Sequence, residues 1–518
     1  MEKESIIQID VNSSKKPINQ MIYGNFVEHL GQCINNGLWA YKPVNVPLVD
    51  SNPRLLGMRQ DVLQASKDLG ISILRAFGGC YSDVYHWKDA IGPYINRKIV
   101  RNKAWGQGIK RVIVGLGPKI KNFFGTDEFL TFCEEIRAEP YLNVNYGTGT
   151  PEEAADWVEY CNGSEDTEYG LLRVKNGRKK PYNVKFWGIA NEIYGWWEKG
   201  HEKYPENYAD NYLKFAKAMR EKDPSIKLIA CGCQKEGWNQ TLLKKLGEDW
   251  IDYLSIHKYL PGLRTSFLRS KHPHNNRLYY ALIASPILFE DIISETWKDI
   301  TTALGKETHV RIAFDEWGVW YLLTDVIRTN YNLLDGIWTA LILMIFQKMS
   351  NHCPIANWAQ LINCIGTFNS DPNGIVLTPV YLALKMFVDH SYNNIIEGVE
   401  VSCDVFNSEK YAHIPKFQNT PFIACNATVS DKSDNLAIIL VNKHFIENRI
   451  AKLKINGFNP NDEGTIIELN SESTNDYNTK NNRDKIQLKD RRVHNFKQEI
   501  KIKLPAHSVT ILKLKKSK

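Results

Sequence analysis

The chain has 518 residues, more than a single compact core holds, so one large and one smaller domain are expected. Its 43% hydrophobic and 24% charged residues are ordinary for a globular protein. The net charge of +7 is mild, and its most visible cluster, Lys513, Lys515, Lys516 and Lys518, reads as a solvated tail, so no nucleic-acid partner is expected.

The N-terminus runs from Met1-Glu2-Lys3-Glu4-Ser5 into Ile6–Val11 without a long apolar stretch, so no signal peptide is expected. Ile6–Val11 reads as a strand lying before the large domain begins. From about residue 20 to 390, strand-like apolar runs alternate with helix-like segments. The strand candidates are Ile22–Glu28, Ile71–Phe77, Pro140–Asn145, Val184–Ala190, Ile226–Cys231, Ile251–His257, Val310–Asp315 and Pro354–Gln360. Amphipathic segments such as Thr126–Ile136, Pro151–Tyr160 and Asn207–Arg220 lie between them, the last stopped by Asp223-Pro224. Eight such units predict an α/β fold, a closed parallel (β/α)8 TIM barrel. The long intervals Leu30–Asp61 and Pro261–Leu304 are expected to form loops over its active face. The apolar stretch Trp338–Phe346 falls far short of the roughly 20 residues that span a bilayer. It reads as a buried helix, so no membrane partner is expected.

After about residue 391 the texture changes to alternating strands: Asn394–Val401, Phe422–Val429, Leu436–Asn442, Ile450–Ile455, Thr465–Leu469, Glu499–Leu504 and Val509–Leu514. Polar stretches such as Ser471–Asp484 punctuate them. This predicts a C-terminal antiparallel β-sandwich that the N-terminal strand could join. The expected division is 20–390 for the barrel, and 1–19 with 391–518 for the sandwich. Ten cysteines show no regular framework, and Cys231-Gly232-Cys233 lacks the paired spacing of a zinc site. A reduced, cytoplasmic protein without metal or cofactor is the simple reading.

Functional groups of a barrel gather at the C-terminal ends of its strands. Two apolar runs stop abruptly there at a glutamate, one running from Phe186 to Glu192 and the other from Ile312 to Glu316. Ionised glutamate is rarely buried without a partner, so two such ends point to paired carboxylates in one cleft. That is the equipment for cutting a glycosidic bond. The other strand ends supply Glu28-His29, Arg75 with Gly78-Gly79-Cys80, Asn143, Asn145, Tyr146, Asn191, His257, Tyr259 and Gln360. These residue types grip hydroxyls. Trp39, Trp196, Trp197, Trp317 and Trp320 are candidate platforms for a sugar ring. Taken singly most of these tryptophans read as core, with Trp317 excepted because it adjoins Glu316. His257 alone reads as a satisfied core histidine, Cys80 as a small buried hydrophobe, and Arg75 as equally structural or functional.

Several segments, in order, resemble the α-L-arabinofuranosidases of glycoside hydrolase family 51. They are Gly24–Gly31, Gly78–Cys80 with Tyr85–Asp89 and Ile91–Pro93, Phe124–Phe129, Glu152–Ala155 with Trp157–Asn162, Trp187–Glu192, Asp252–His257, Asp315–Trp317, Ala356-Asn357 with Gln360 and Asn363, and Val376–Pro379. The resemblance implies Glu192 as acid/base and Glu316 as nucleophile of a retaining, exo-acting enzyme. It implies that Glu28, Cys80, Asn191, Tyr259 and Gln360 hold an arabinofuranose, with Arg75, His257 and Trp317 in support. It further implies an oligosaccharide substrate from arabinan or arabinoxylan, and a homo-oligomer, commonly a hexamer. The chain departs from the family in having Phe77 where proline is usual, Ala190 where glycine is usual, and a longer stretch after Trp105, from Gly106 to Lys121. The competing readings are a β-xylosidase or endo-glucanase on the same scaffold, and a carbohydrate-binding relative without catalysis. Phe77 and Cys80 would separate a furanose from a pyranose subsite.

Overall fold

The computed structural model describes residues 3–104, 119–262, 276–322, 325, 328–494 and 500–517. Most of the stretch after Trp105 lies outside these residues, as does the expected strand start at Glu499. Among the described residues, eight parallel strands close a barrel in chain order: Gly24–Phe26, Ile73–Ala76, Glu139–Val144, Phe186–Ile189, Lys227–Cys231, Tyr253–Pro261, Arg311–Trp320 and Ile355–Trp358. Each overlaps a run expected from the sequence.

Strand periodicity places alternate residues inside the barrel. Ile73, Tyr141, Phe186, Ile229, Ala313 and Ile355 fill its floor as one apolar cluster. Two residues further along five of these strands the chain carries Arg75, Asn143, Gly188, Asp315 and Asn357. Gly188 leaves room for its neighbours, because a Cβ there would lie 2.0 Å from Asn143 Oδ1. A hydrocarbon floor beneath a polar layer is what sets the site at the C-terminal end.

The helices Thr126–Ile136, Pro151–Asn162 and Pro205–Lys222 match the expected amphipathic segments. Leu333–Met349 contains the apolar stretch and is buried nearly throughout. It touches the C-terminal sheet, where Asn426 Nδ2 donates to the Met344 carbonyl (3.0 Å). No helix among the described residues is long and apolar enough to cross a membrane.

One expectation for the long intervals needs revision. The interval after Pro261 is largely helical in its described part, with Asn276–Ala284 and Ile287–Leu304. The second buries Phe289, Ile292, Ile293, Thr296 and Ile300 at helical spacing.

The C-terminal region forms a nine-stranded, mostly antiparallel sheet. Its spatial order is Lys489–His494, Pro460–Leu469, Ser508–Lys516, Asn435–Asn442, Ile423–Val429, Asn394–Ser402, Lys3–Pro17, Arg449–Asn456 and Ile500–Leu504. The N-terminal strand joins it, antiparallel to Asn394–Ser402 and parallel to Arg449–Asn456. Ile7, Ile9, Leu436, Ile438, Leu440 and Leu512 belong to a core of its own. The alternate residues Ala437, Ile439, Val441 and Ile511 belong to the barrel's core instead, which welds the two regions together.

Candidate active site

The barrel strand Arg311–Trp320 solves a geometric problem. Simple alternation would send Asp315 and Glu316 to opposite faces. Against the preceding strand, Ala313 pairs with Ser255 but Glu316 pairs with His257, so three steps on one strand match two on the other. The following strand shows the same shift, from Phe314 opposite Ala356 to Trp317 opposite Trp358. This extra residue is a β-bulge, and it lets both carboxylates face the cleft. It also sends Trp317 outward. The Trp317 ring is fully buried against Trp338, Phe346 and Trp358, so it is a core residue and not a sugar platform.

Glu192 follows the strand Phe186–Ile189 through a tight reversal in which Ala190 has φ +78° and Glu192 φ +42°. Left-handed backbone at non-glycine residues costs on the order of 1 kcal/mol each. The alanine at 190 therefore keeps a conformation that glycine would adopt freely.

The two glutamates meet at His257. Its Nδ1 lies 2.9 Å from Glu192 Oε1 and 3.5 Å from Glu316 Oε2. Its Nε2 lies 3.2 Å from Asp315 Oδ1. One oxygen from each glutamate and a ring nitrogen of His257 all lie within 4.8 Å of one another. Burial opposes a charge on His257, but the Glu316 charge and the contacts to Asp315 and Glu192 push its pKa up to about 10. Both ring nitrogens face carboxylate oxygens, a setting that favours the imidazolium.

Arg75 is buried beneath this group. Its Nη1 donates to Glu316 Oε1 (2.8 Å), its Nη2 to Asn191 Oδ1 (2.9 Å), and its Nε lies 3.4 Å from Asp315 Oδ2. Burial opposes its charge too, but Asp315, Tyr141 and Glu316 hold the guanidinium well above its ordinary pKa. Asp315 also accepts from the Tyr141 hydroxyl (2.8 Å) and from Ser255. Burial pushes its carboxyl up, but Arg75 and His257 outweigh this and leave it well below the usual range.

The two glutamates have different partners. Glu316 Oε2 accepts from the Tyr259 hydroxyl (2.8 Å). Burial raises its pKa, the charges of His257 and Arg75 oppose this, and the nearby Glu192 adds to the rise; the net direction is upward. Glu192 accepts from Trp197 Nε1 (3.1 Å) and the Tyr194 hydroxyl (3.3 Å) besides His257. Burial raises Glu192 as well, but these donors, led by His257, leave it below its ordinary value. Two carboxylates this close titrate as a unit with the imidazolium between them.

The remaining expected residues gather around this centre. Glu28 Oε1 accepts from the Tyr81 backbone N–H, and Oε2 from Gln360 Nε2, both at 2.8 Å. Gly79 permits this approach, because a Cβ there would lie 2.9 Å from Glu28 Oε2. Gln360 is fully buried and its Oε1 has no hydrogen-bond partner. Cys80 Sγ lies within 4.8 Å of a Glu192 oxygen, and burial keeps it a thiol. Phe77 is fully buried in an aromatic cluster with Tyr85, Phe129 and Trp157. Trp39 is buried as well, and Trp320 packs edge-on against Tyr259.

Sequence reasoning missed Asp315 as a site residue, together with Tyr141, Ser255, Tyr194, Asp83 and Glu198. Burial, then the charges of Asp83 and Glu192, push Glu198 well above its ordinary pKa. Burial pushes Asp83 up to about 8. Glu198 Oε1 accepts from Asn191 Nδ2 (3.4 Å). Only the closeness of Glu198 to Glu192 in the chain could have flagged it. Among the described residues, two trios have the spacing of metal ligands, Cys80 with Glu192 and Glu198, and Glu192 with His257 and Glu316. In the second trio the Nδ1 of His257 lies directly against both glutamates, at 2.9 and 3.5 Å.

Comparison with known proteins identifies the family. Residues 65–277 match the family described as the alpha-L-arabinofuranosidase 1 domain, and 315–508 the alpha-L-arabinofuranosidase C-terminal domain. The chain is 34% identical to alpha-L-arabinofuranosidase C of Emericella nidulans over 88% of this chain and 87% of that one. It is 30% identical to an intracellular exo-alpha-L-arabinofuranosidase of Bacteroides ovatus over 99% and 96%. Among solved structures, the arabinose complex of the Thermotoga maritima alpha-L-arabinofuranosidase superposes with a TM-score of 0.88 at 34% identity, covering 99% of this chain and 100% of that one. The GH51 enzyme of Thermotoga petrophila gives 0.86 at 34% identity, over 98% and 100%. A bifunctional glucanase-xylanase, at 13% identity and a TM-score of 0.63 over 100% of both chains, shares the fold alone. The chain belongs to the α-L-arabinofuranosidases of glycoside hydrolase family 51.

Proposed function

We propose that the chain is a retaining, exo-acting α-L-arabinofuranosidase that removes terminal arabinofuranosyl residues from oligosaccharides derived from arabinan or arabinoxylan. The observation that carries this reading is the closeness of Glu192 and Glu316, whose nearest oxygens lie within 4.8 Å. Retaining glycosidases hold their carboxyl groups about 5–5.5 Å apart, while inverting ones leave about 6.5–9.5 Å for a water.

Glu316 attacks the anomeric carbon as the bond to the leaving oxygen breaks, and Glu192 gives that oxygen a proton. Glu192 then takes a proton from water, whose oxygen attacks the same carbon and releases Glu316. The acid's proton is held on the unit formed by Glu192, His257 and Glu316, in which His257 Nδ1 lies 2.9 Å from Glu192 Oε1. With that proton on Glu192 the acid is neutral, while Arg75 Nη1 and the Tyr259 hydroxyl donate to Glu316 and favour its anion. Glu28, Cys80, Asn191, Tyr259 and Gln360 would hold the sugar, and the unpartnered Gln360 Oε1 offers an acceptor for a hydroxyl. The division at residues 20–390 against 1–19 with 391–518 separates the catalytic barrel from a supporting sheet domain.

Ten unpaired cysteines, eight of them buried, favour a reducing cytoplasmic setting. The family resemblance carries the expectation of a hexamer, which light scattering would read directly. Release of p-nitrophenol from p-nitrophenyl α-L-arabinofuranoside, with the β-D-xylopyranoside alongside, tests the function. Turnover of the arabinoside that disappears in Glu316→Ala is expected. Turnover of the xyloside alone would move the substrate, and binding without turnover would make the chain a sugar-binding relative.

A further inference from the structure

The most exposed large aromatic side chain among the described residues sits close to Glu192. Trp196 is 82% exposed, and Trp197 is 40% exposed. The two indoles meet edge-on, with ring centroids 6.0 Å apart and planes at 83°. Trp197 donates Nε1–H to Glu192 Oε2, the oxygen not held by His257. Gly195 leaves room for the inner indole, because a Cβ there would lie 2.4 Å from the Trp197 ring. Trp196 therefore stands one ring further out than the indole touching Glu192, with a bare aromatic face.

We propose that Trp196 is a stacking platform for the sugar chain that bears the arabinofuranosyl branch. The proposal rests on Glu192 being the acid that protonates the leaving oxygen. Everything attached to that oxygen must extend past the Glu192 side of the cleft. A sugar ring presents C–H groups on one face and hydroxyls around its rim. A flat indole in water takes the first and leaves the second solvated. Tryptophan suits the task because it offers much contact area and has only two side-chain torsions to fix. A small aglycone would not reach the platform; a chain of two or more sugar residues would.

The test compares kcat/KM on methyl α-L-arabinofuranoside, on α-1,5-linked arabinotriose and on an arabinofuranosylated xylotriose. In Trp196→Ala we expect about a tenfold loss on one or both oligosaccharides, carried by KM, from the apolar contact removed. The methyl glycoside should stay within about twofold of wild type, since it makes no such contact. Trp196→Phe should recover most of the loss. The oligosaccharide most affected identifies the chain that the platform takes. Equal losses on all three substrates would overturn the proposal, making Trp196 a prop for Trp197. No loss on any would also overturn it, making Trp196 a bare surface residue. Calorimetric binding of both oligosaccharides to Glu316→Gln, with and without Trp196→Ala, reads the platform independently of turnover. A wild-type protein that turns over no arabinoside would sink the proposed function, while the binding comparison would still decide on Trp196.

Discussion

Arg75 is the fixed cation under the two carboxylates of the strand Arg311–Trp320, and replacing it separates electrostatics from shape. With charge centres about 4 Å apart and an effective dielectric near 20, one guanidinium favours the Glu316 anion by about 4 kcal/mol. At about 1.4 kcal/mol per pK unit, this is roughly three units. Glu316 already lies above its ordinary value because of burial. Arg75→Met should therefore move the acidic limb of kcat/KM upward by about two to three units, with activity at neutral pH falling about 100-fold. Breaking a buried ion pair costs about 3–5 kcal/mol of stability, so circular dichroism must first show that the variant is folded. Arg75→Lys keeps the charge but not the fork that spans Glu316, Asn191 and Asp315. It should restore part of the limb. A folded Arg75→Met with an acidic limb within about half a unit of wild type would refute this electrostatic role.

Other consequences follow from the same contacts. The His257 pKa is raised in the fold, so its stabilising contribution is complete below about 6.5 and is lost as pH climbs towards about 10. Urea midpoints at about pH 6, 8 and 10 should fall in that order, and His257→Gln should flatten this dependence. Ala190→Gly relieves a left-handed alanine and should stabilise by about 0.5–1 kcal/mol, read as a raised urea midpoint; a lowered midpoint would show that its Cβ packing matters more. Trp317→Ala should cost about 3–5 kcal/mol as a large buried cavity, with KM near wild type; a rise in KM without loss of stability would return Trp317 to the sugar.

The barrel is legible in the sequence because parallel strands buried on both faces read as continuous apolar runs. The ends of those runs are legible too, since a carboxylate closing an apolar strand has no packing reason to be there. Asp315 is not. Period-two alternation puts it opposite Glu316, and the bulge between Ala313 and Glu316 leaves no mark in composition. The same bulge explains why adjacency misplaces Trp317. Lys489–His494 escapes detection because it is an edge strand of Lys-Asp-Arg-Arg-Val-His with no alternation. The pairing of the N-terminal strand with Arg449–Asn456 joins residues far apart in the chain, and nothing local records it. Ala190 and Phe77 are visible as departures, but only the backbone shows that the first keeps the reversal before Glu192 and that the second packs among aromatic rings.

The central claim, that Glu192 and Glu316 act as a retaining pair, is tested most directly by the anomer first released. Proton NMR in the opening minutes of p-nitrophenyl α-L-arabinofuranoside hydrolysis should show α-L-arabinofuranose before mutarotation. β-L-Arabinofuranose as the first product would mean a single displacement by water, and would contradict the role assigned to Glu316.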